Sequence, residues 1–123
     1  MHVYTAVIVR GPRTTAYGRA SRLLGRAAPR YFDHHGVGAT FEGRLVALGL
    51  VPADDPWTEA VSVSRLPSPV PEGLVPGALV TPRAAWIWSP LEDGHEDRWA
   101  SRVNALIDRH RGGHTLVVCD AHC

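Results

Sequence analysis

The stretch Thr115-Leu116-Val117-Val118-Cys119-Asp120-Ala121-His122, close to the end of the chain, carries the clearest information about the fold. Its β-branched and apolar residues are typical of a strand. Because Leu116, Val117 and Val118 are apolar in succession, without alternation, the pattern indicates burial on both faces of a sheet. We therefore predict a final strand over 115–122 with other elements packed on both of its faces.

An amphipathic helix is predicted just before this strand, from about Leu91 to Arg111. Trp99, Val103 and Ile107 recur at helical spacing along one face. Acidic residues crowd the first turns, as the helix dipole favours, and Gly112-Gly113 supplies a C-terminal stop.

The rest of the chain is divided by glycine and proline into short elements. The predicted elements are strands at 3–9, 41–48, 58–64 and 84–88 and a helix at 19–28. The segment 66–82 is rich in proline, which lacks the backbone donor that an interior strand needs. We therefore predict an ordered loop or an edge for 66–82.

The order of these elements, β-α-β-β-(β)-α-β, resembles the split βαβ, ferredoxin-like plan. We predict an α+β fold with a mostly antiparallel sheet and two helices on one face. The length of 123 residues is that of one ordinary domain, so a single domain over 1–123 is expected. This plan supports many activities and implies none by itself.

Composition places the chain among globular proteins, with 45% hydrophobic and 20% charged residues. A formal charge of +1 does not indicate nucleic-acid binding, which would have to come from a local patch. All 13 basic residues are arginine, which we interpret as the product of a GC-rich coding sequence, with bidentate anion binding as the physical alternative.

The expected cellular location of the protein rests on two features that its sequence does not show. It has no secretory leader and no apolar run near the ~20 residues that cross a bilayer. We therefore expect a cytoplasmic protein, not bound to membranes, with Cys119 and Cys123 as reduced thiols.

The residues that could carry chemistry are acidic and histidine side chains. Strand periodicity puts Asp120 and His122 on one face of the final strand, with Cys119 on the other. A carboxylate and an imidazole placed in this way could share a metal or form an acid/base pair if a third group joined them. The segment Asp33-His34-His35 offers that group. The alternative is that Asp120 and His122 only mark the polar end of a strand.

The stretch Tyr31 to Gly43 carries an aromatic-Asp pattern followed by glycines, and the chain ends on Asp120-Ala121-His122. In both features it resembles small uncharacterised proteins of actinobacteria and their phages, which have an aromatic-Asp stretch leading into Gly-Gly-x-Trp-x-Gly. Asp33, Gly38 and Gly43 match, and Phe41 stands in for the tryptophan. The resemblance implies no activity, but it singles out Asp33, Asp120 and His122.

Two functions remain open at this level. The first is a small binding or accessory protein, of a kind that a phage or mobile element would encode, that acts through a protein partner. The second is a metal-dependent, phosphoesterase-like hydrolase holding a divalent cation. Its catalytic residues would be Asp33, His35, Asp120 and His122, and its metal ligands Asp33, His34, Asp120 and His122.

Overall fold

The fold is α+β, built on one six-stranded sheet. The computed structural model describes residues 1–89 and 95–123. Its strands and helices are β1 (His2–Arg10), α1 (Ala16–Ala27), β2 (His34–Val37), α2 (Arg44–Ala47), β3 (Ala60–Ser62), β4 (Ala78–Val80), β5 (Trp86–Trp88), α3 (Glu96–Asp108) and β6 (His114–His122).

The sheet has the strand order β2-β6-β1-β4-β5, and β3 pairs with β6 beyond the end of β2. The two nine-residue strands, β1 and β6, are antiparallel along their whole length, from His2 opposite His122 to Arg10 opposite His114. β1 and β4 are parallel, and the other pairs are antiparallel. The sheet is therefore mostly antiparallel, as predicted, but mixed.

Burial on both faces of the final strand is confirmed. Every residue of β6 between its two terminal histidines is buried. Leu116 and Val118 pack in one apolar cluster, and Val117 and Cys119 pack in another on the opposite face. The sheet thus has two apolar faces, and each one needs a cover.

The prediction that both helices cover one face is wrong. Ala20 and Leu24 of α1 pack on the face that carries Val117, whereas α3 packs on the face that carries Leu116. A sheet that is apolar on both sides is stable only when both sides are shielded from water, so the helices divide between them. The ferredoxin-like plan is not confirmed.

The strand predicted over 41–48 is replaced by a 3₁₀ turn at Ala39–Phe41 and the short helix α2. Gly38 and Gly43 have φ angles of 69° and 83°, which turn the chain twice within six residues. Residues 34–37, for which the sequence predicts no strand, form β2 and pair with β6. Phe41 and Leu45 are four residues apart, and this spacing places two apolar residues on one face of a helical turn as well as on one face of a strand.

The prediction of a loop or edge for 66–82 is wrong at its end. Residues 78–80 form β4, which lies between β1 and β5 and is fully buried. No proline lies between Pro76 and Pro82. Residues 78–80 therefore keep the backbone N–H donors that the hydrogen bonds of an interior strand need.

The other predicted elements are confirmed in kind, with shifts at their ends. They are β1, α1, β3, β5, α3 and β6. The start of the last helix, predicted at Leu91, lies outside the described residues; its described part begins at Glu96.

No helix in the described ranges 1–89 and 95–123 has the length and apolar character needed to span a bilayer. Cys119 is buried and Cys123 half-buried, and both are free thiols, as expected.

The interior position of β4 can be tested with Leu79, which is fully buried. We expect Leu79→Ala to lower the free energy of unfolding by about 2–5 kcal/mol, as for other leucines truncated inside a core. Urea denaturation followed by circular dichroism measures this change. The control is Leu106→Ala, because Leu106 is only partly buried against the same apolar cluster. Equal, small losses for both variants would contradict an interior β4.

Candidate functional site

Three histidines from three neighbouring strands lie side by side at one end of the sheet. In the strand register His122 of β6 is opposite His2 of β1 on one side and opposite His34 of β2 on the other. Cross-strand partners share a face, so the three side chains leave the sheet on the same side. This is the face that also carries Tyr4 and α3.

The first of two Asp–His pairs joins β6 to β1. Nδ1 of His2 lies 2.9 and 3.0 Å from the two carboxylate oxygens of Asp120. The Asp120 side chain is only 5% exposed, whereas that of His2 is 46% exposed. The backbone amide of Thr40 donates a further hydrogen bond of 3.2 Å to the same carboxylate. Asp120 is thus a buried acceptor with donors from two segments of the chain.

The second pair joins β6 to the residue before β2. Nδ1 of His122 lies 3.0 Å from Oδ1 of Asp33, and the Asp33 backbone amide donates a hydrogen bond of 3.1 Å to the His122 carbonyl. These two bonds hold the carboxylate beside the imidazole although Asp33 is largely exposed.

The two pairs are in contact through their imidazoles. The ring centroids of His2 and His122 lie 4.7 Å apart, with the ring planes tilted by 50°. In each pair an ionised carboxylate accepts the Nδ1 proton, so a neutral ring carries its free lone pair on Nε2. Neither Nε2 atom has a hydrogen bond to the described residues. The result is two adjacent imidazoles, each oriented by its own carboxylate.

The electrostatics of both carboxylates favour the charged form. The hydrogen bond from His122 is the main reason that the pKa of Asp33 lies below its ordinary value. Burial raises the pKa of Asp120, but the hydrogen bonds from His2 and Thr40 outweigh it, and the net result is a lowered pKa.

A groove of about 360 Å³ adjoins the first pair and shares Thr40 with it. Its cation is Arg44, whose guanidinium lies 4.5 Å from the ring centroid of Tyr4 and donates a hydrogen bond of 2.8 Å to the Gly73 carbonyl. Arg44 is therefore held in place by an aromatic ring and a backbone acceptor.

The structure brings together some of the residues singled out from the sequence. Asp33 and His122 form one pair and His34 lies beside them in register, but Asp120 pairs with His2. His35 is separated from the others because it pairs with Ala121 and leaves the sheet on the opposite side, against α1 at Gly25. One residue along a strand reverses the face, and that alone separates His35 from His34.

The metal-ligand set expected from the sequence is not assembled. Within residues 1–89 and 95–123 no group of three or more His, Cys, Asp or Glu side chains is arranged to hold a metal ion. Both carboxylates of the expected set instead lie against Nδ1 of an imidazole.

Sequence reasoning missed His2 and Thr40. The signal for His2 was available, because two antiparallel strands that pair end to end bring the start of one next to the end of the other. For Thr40 there was no signal, because its contact with Asp120 depends on the turn at Ala39–Phe41.

Comparison with protein-family models, with curated proteins and with solved structures found no match to this chain. The resemblance to small actinobacterial and phage proteins therefore stays a prediction, and the function has to be argued from the geometry.

The contribution of Asp120 to stability should depend on pH. Its pKa is lower in the folded protein than in the unfolded chain, so its stabilising effect is present above the ordinary carboxyl pKa of about 4 and is lost as the pH falls through the lower folded value. We expect Asp120→Asn to be less stable than the wild type at pH 7, with the difference shrinking as the pH falls below the ordinary carboxyl pKa of about 4. Urea denaturation across this range measures it.

The matched control for this experiment is Asp54→Asn, because Asp54 is an exposed aspartate in a loop. Its substitution should leave the free energy of unfolding close to that of the wild type at every pH. A stability difference for Asp120→Asn that does not change with pH would contradict a charged, hydrogen-bonded Asp120.

Proposed function

We propose that the protein is a hydrolase that cleaves a phosphoester by general acid–base chemistry at His2 and His122. The observation that carries this proposal is the contact between two Asp–His pairs, with ring centroids 4.7 Å apart and both Nε2 atoms facing away from their carboxylates.

The chemistry of phosphoester hydrolysis needs both a base and an acid. One neutral imidazole accepts the proton of a water molecule as the water oxygen bonds to phosphorus. The second imidazole, protonated, gives its proton to the oxygen of the leaving group as the phosphorus–oxygen bond to that group breaks. Two neighbouring imidazoles supply both functions, because imidazole exchanges protons near neutral pH.

Asp33 and Asp120 have a positioning role in this proposal. By accepting the Nδ1 proton, each carboxylate directs the exchangeable position of its imidazole to Nε2 and stabilises the ring when it becomes positively charged.

The groove beside His2 supports a phosphorylated substrate. Arg44 presents a fixed guanidinium there, and a planar guanidinium matches the oxygens of a phosphoryl group in a bidentate manner. Thr40 belongs both to this groove and to the Asp120–His2 pair, so a substrate bound in the groove lies next to the first imidazole.

The metal-dependent form of this hydrolase, with a divalent cation, has weaker support. The two free Nε2 atoms could serve as two ligands, but a third ligand has to come from outside the described side chains. Assays with and without a chelator separate the two forms.

One observation favours the second candidate, a binding or accessory protein of phage or mobile-element origin acting through a protein partner. Met1 and Tyr31 are 69% and 62% exposed, and they line an apolar cavity of about 430 Å³ with Trp88 and Cys123. Exposed apolar patches of this kind are common at protein interfaces. The edge that 66–82 was expected to offer is absent, because β4 is covered by β5.

The hydrolase proposal is tested with diphenyl phosphate and phenyl phosphate, whose phenolate leaving group benefits from a proton, in the presence of EDTA or of Mn²⁺. We expect release of phenol by the wild type in EDTA. His2→Gln and His122→Gln should each lower kcat/KM by about 10²–10⁴-fold, as for the loss of one acid or base. The pH profile of the wild type should be bell-shaped, and each variant should lose one limb of it.

The chain contains a matched control at the other end of the sheet. His110 and His114 also have ring centroids 4.9 Å apart, but their Nδ1 atoms bond to the backbone carbonyls of Leu106 and Gly112 and not to carboxylates. His114→Gln should keep full activity. Equal activity of His122→Gln and His114→Gln, or no turnover of either substrate under any condition, would contradict the proposal. Activity that needs Mn²⁺ would replace it with the metal-dependent form.

A further inference from the structure

Four arginines line an open groove on the opposite face of the sheet from the histidines. The groove has a volume of about 370 Å³, and we call it the arginine groove. Its cations are Arg19, Arg22 and Arg26, and the apolar residues beside them are Val9, Leu23 and Pro82; Arg10 lines the groove at the end of β1.

The convergence of these cations follows from the geometry of α1. Positions 19, 22 and 26 lie three and four residues apart, so their side chains leave the same side of the helix. Arg10 ends the neighbouring strand β1 and offers its backbone carbonyl at the edge of the groove. The guanidinium of Arg19 donates a hydrogen bond of 2.7 Å to the Arg10 carbonyl, which holds one end of the row in place.

None of the four guanidiniums has a carboxylate partner among residues 1–89 and 95–123. Elsewhere in the same structure, Arg13 pairs with Asp55 and Arg111 with Asp108, both at 2.8 Å. The difference originates in the sequence, since residues 1–32 hold six arginines and no acidic residue. The face of the sheet that carries α1 is therefore strongly positive, although the formal net charge of the whole chain is only +1.

The three neighbouring positive charges of Arg19, Arg22 and Arg26 repel one another, and an anionic ligand removes that repulsion. The row from Arg19 to Arg26 spans about 10 Å along the helix, given a rise of 1.5 Å per residue. That length exceeds a single phosphate and fits a ligand with repeated charges. The lining contains no aromatic ring on which an unpaired base could stack, so a single strand has no platform there.

We propose that the arginine groove binds the phosphate backbone of a nucleic acid duplex without reading its sequence. Guanidinium groups bind phosphate oxygens in a bidentate manner, and contacts to the backbone carry no sequence information. The groove shares no residue with the two Asp–His pairs, so binding does not depend on hydrolysis at His2 and His122.

The test is the binding of a fluorescein-labelled 20-base-pair DNA duplex by fluorescence anisotropy, from 25 to 200 mM NaCl. With up to three phosphates neutralised, we expect log K to fall with log [NaCl] with a slope between about −2 and −3. Arg22→Gln and Arg26→Gln should each reduce the slope by about 1 and weaken binding at 50 mM NaCl. Duplexes of unrelated sequence should bind equally.

The matched control is Arg102→Gln, which removes the same charge from an exposed position on α3, across the sheet. It should leave both the affinity and the salt dependence unchanged. Three outcomes would overturn the proposal: no binding at 25 mM NaCl, an equal loss in Arg102→Gln, or competition by pyrophosphate at micromolar concentration, which would indicate a small-anion site. The His122→Gln variant should still bind the duplex even where it has lost hydrolytic activity. Duplex binding and hydrolysis are therefore tested independently of each other.

Discussion

The antiparallel pairing of β1 with β6 is the interaction on which the rest of the structure depends. These are the two longest strands, paired along all nine residues, and both are buried on both faces. β2 and β3 add to the free edge of β6, and β4 adds to the free edge of β1. Because the pair is apolar on both sides, α1 and α3 cover opposite faces, which separates the surfaces of the molecule into two chemically different sides.

The same pairing builds the candidate site. Its register sets His2 against His122, and a shift of one residue would send the His2 side chain to the other face. Asp120 then lies within hydrogen-bond distance of His2, which gives a buried carboxylate the donor it needs. The stability of the sheet and the arrangement of the two Asp–His pairs therefore have a common origin in one strand register.

The charges of the chain are arranged on the two sides in different ways. On the α3 face His2 and His122 are matched to carboxylates, whereas on the α1 face Arg19, Arg22 and Arg26 have no such partners among the described residues. The near-neutral net charge of the chain is compatible with both arrangements of charge. Attraction to a polyanion depends on the local distribution of charge and not on the net charge. The proposed enzyme site and the proposed nucleic-acid surface share no residue.

The sequence by itself determined the elements whose pattern is strong over many residues, namely β1, α1, α3 and β6, together with the burial of β6 on both faces. It also singled out Asp33, Asp120 and His122 as candidate functional residues. It could not determine β2, the turn before α2 or the interior position of β4. In short segments the contacts with neighbouring elements decide the conformation more than the intrinsic propensities of the residues do. Only the tertiary structure decided that His2 joins Asp120, that His35 is turned away, and that the helices lie on opposite faces. The physical reason is that strand register and the choice of sheet face are set by contacts between residues far apart in the chain, which no local pattern contains.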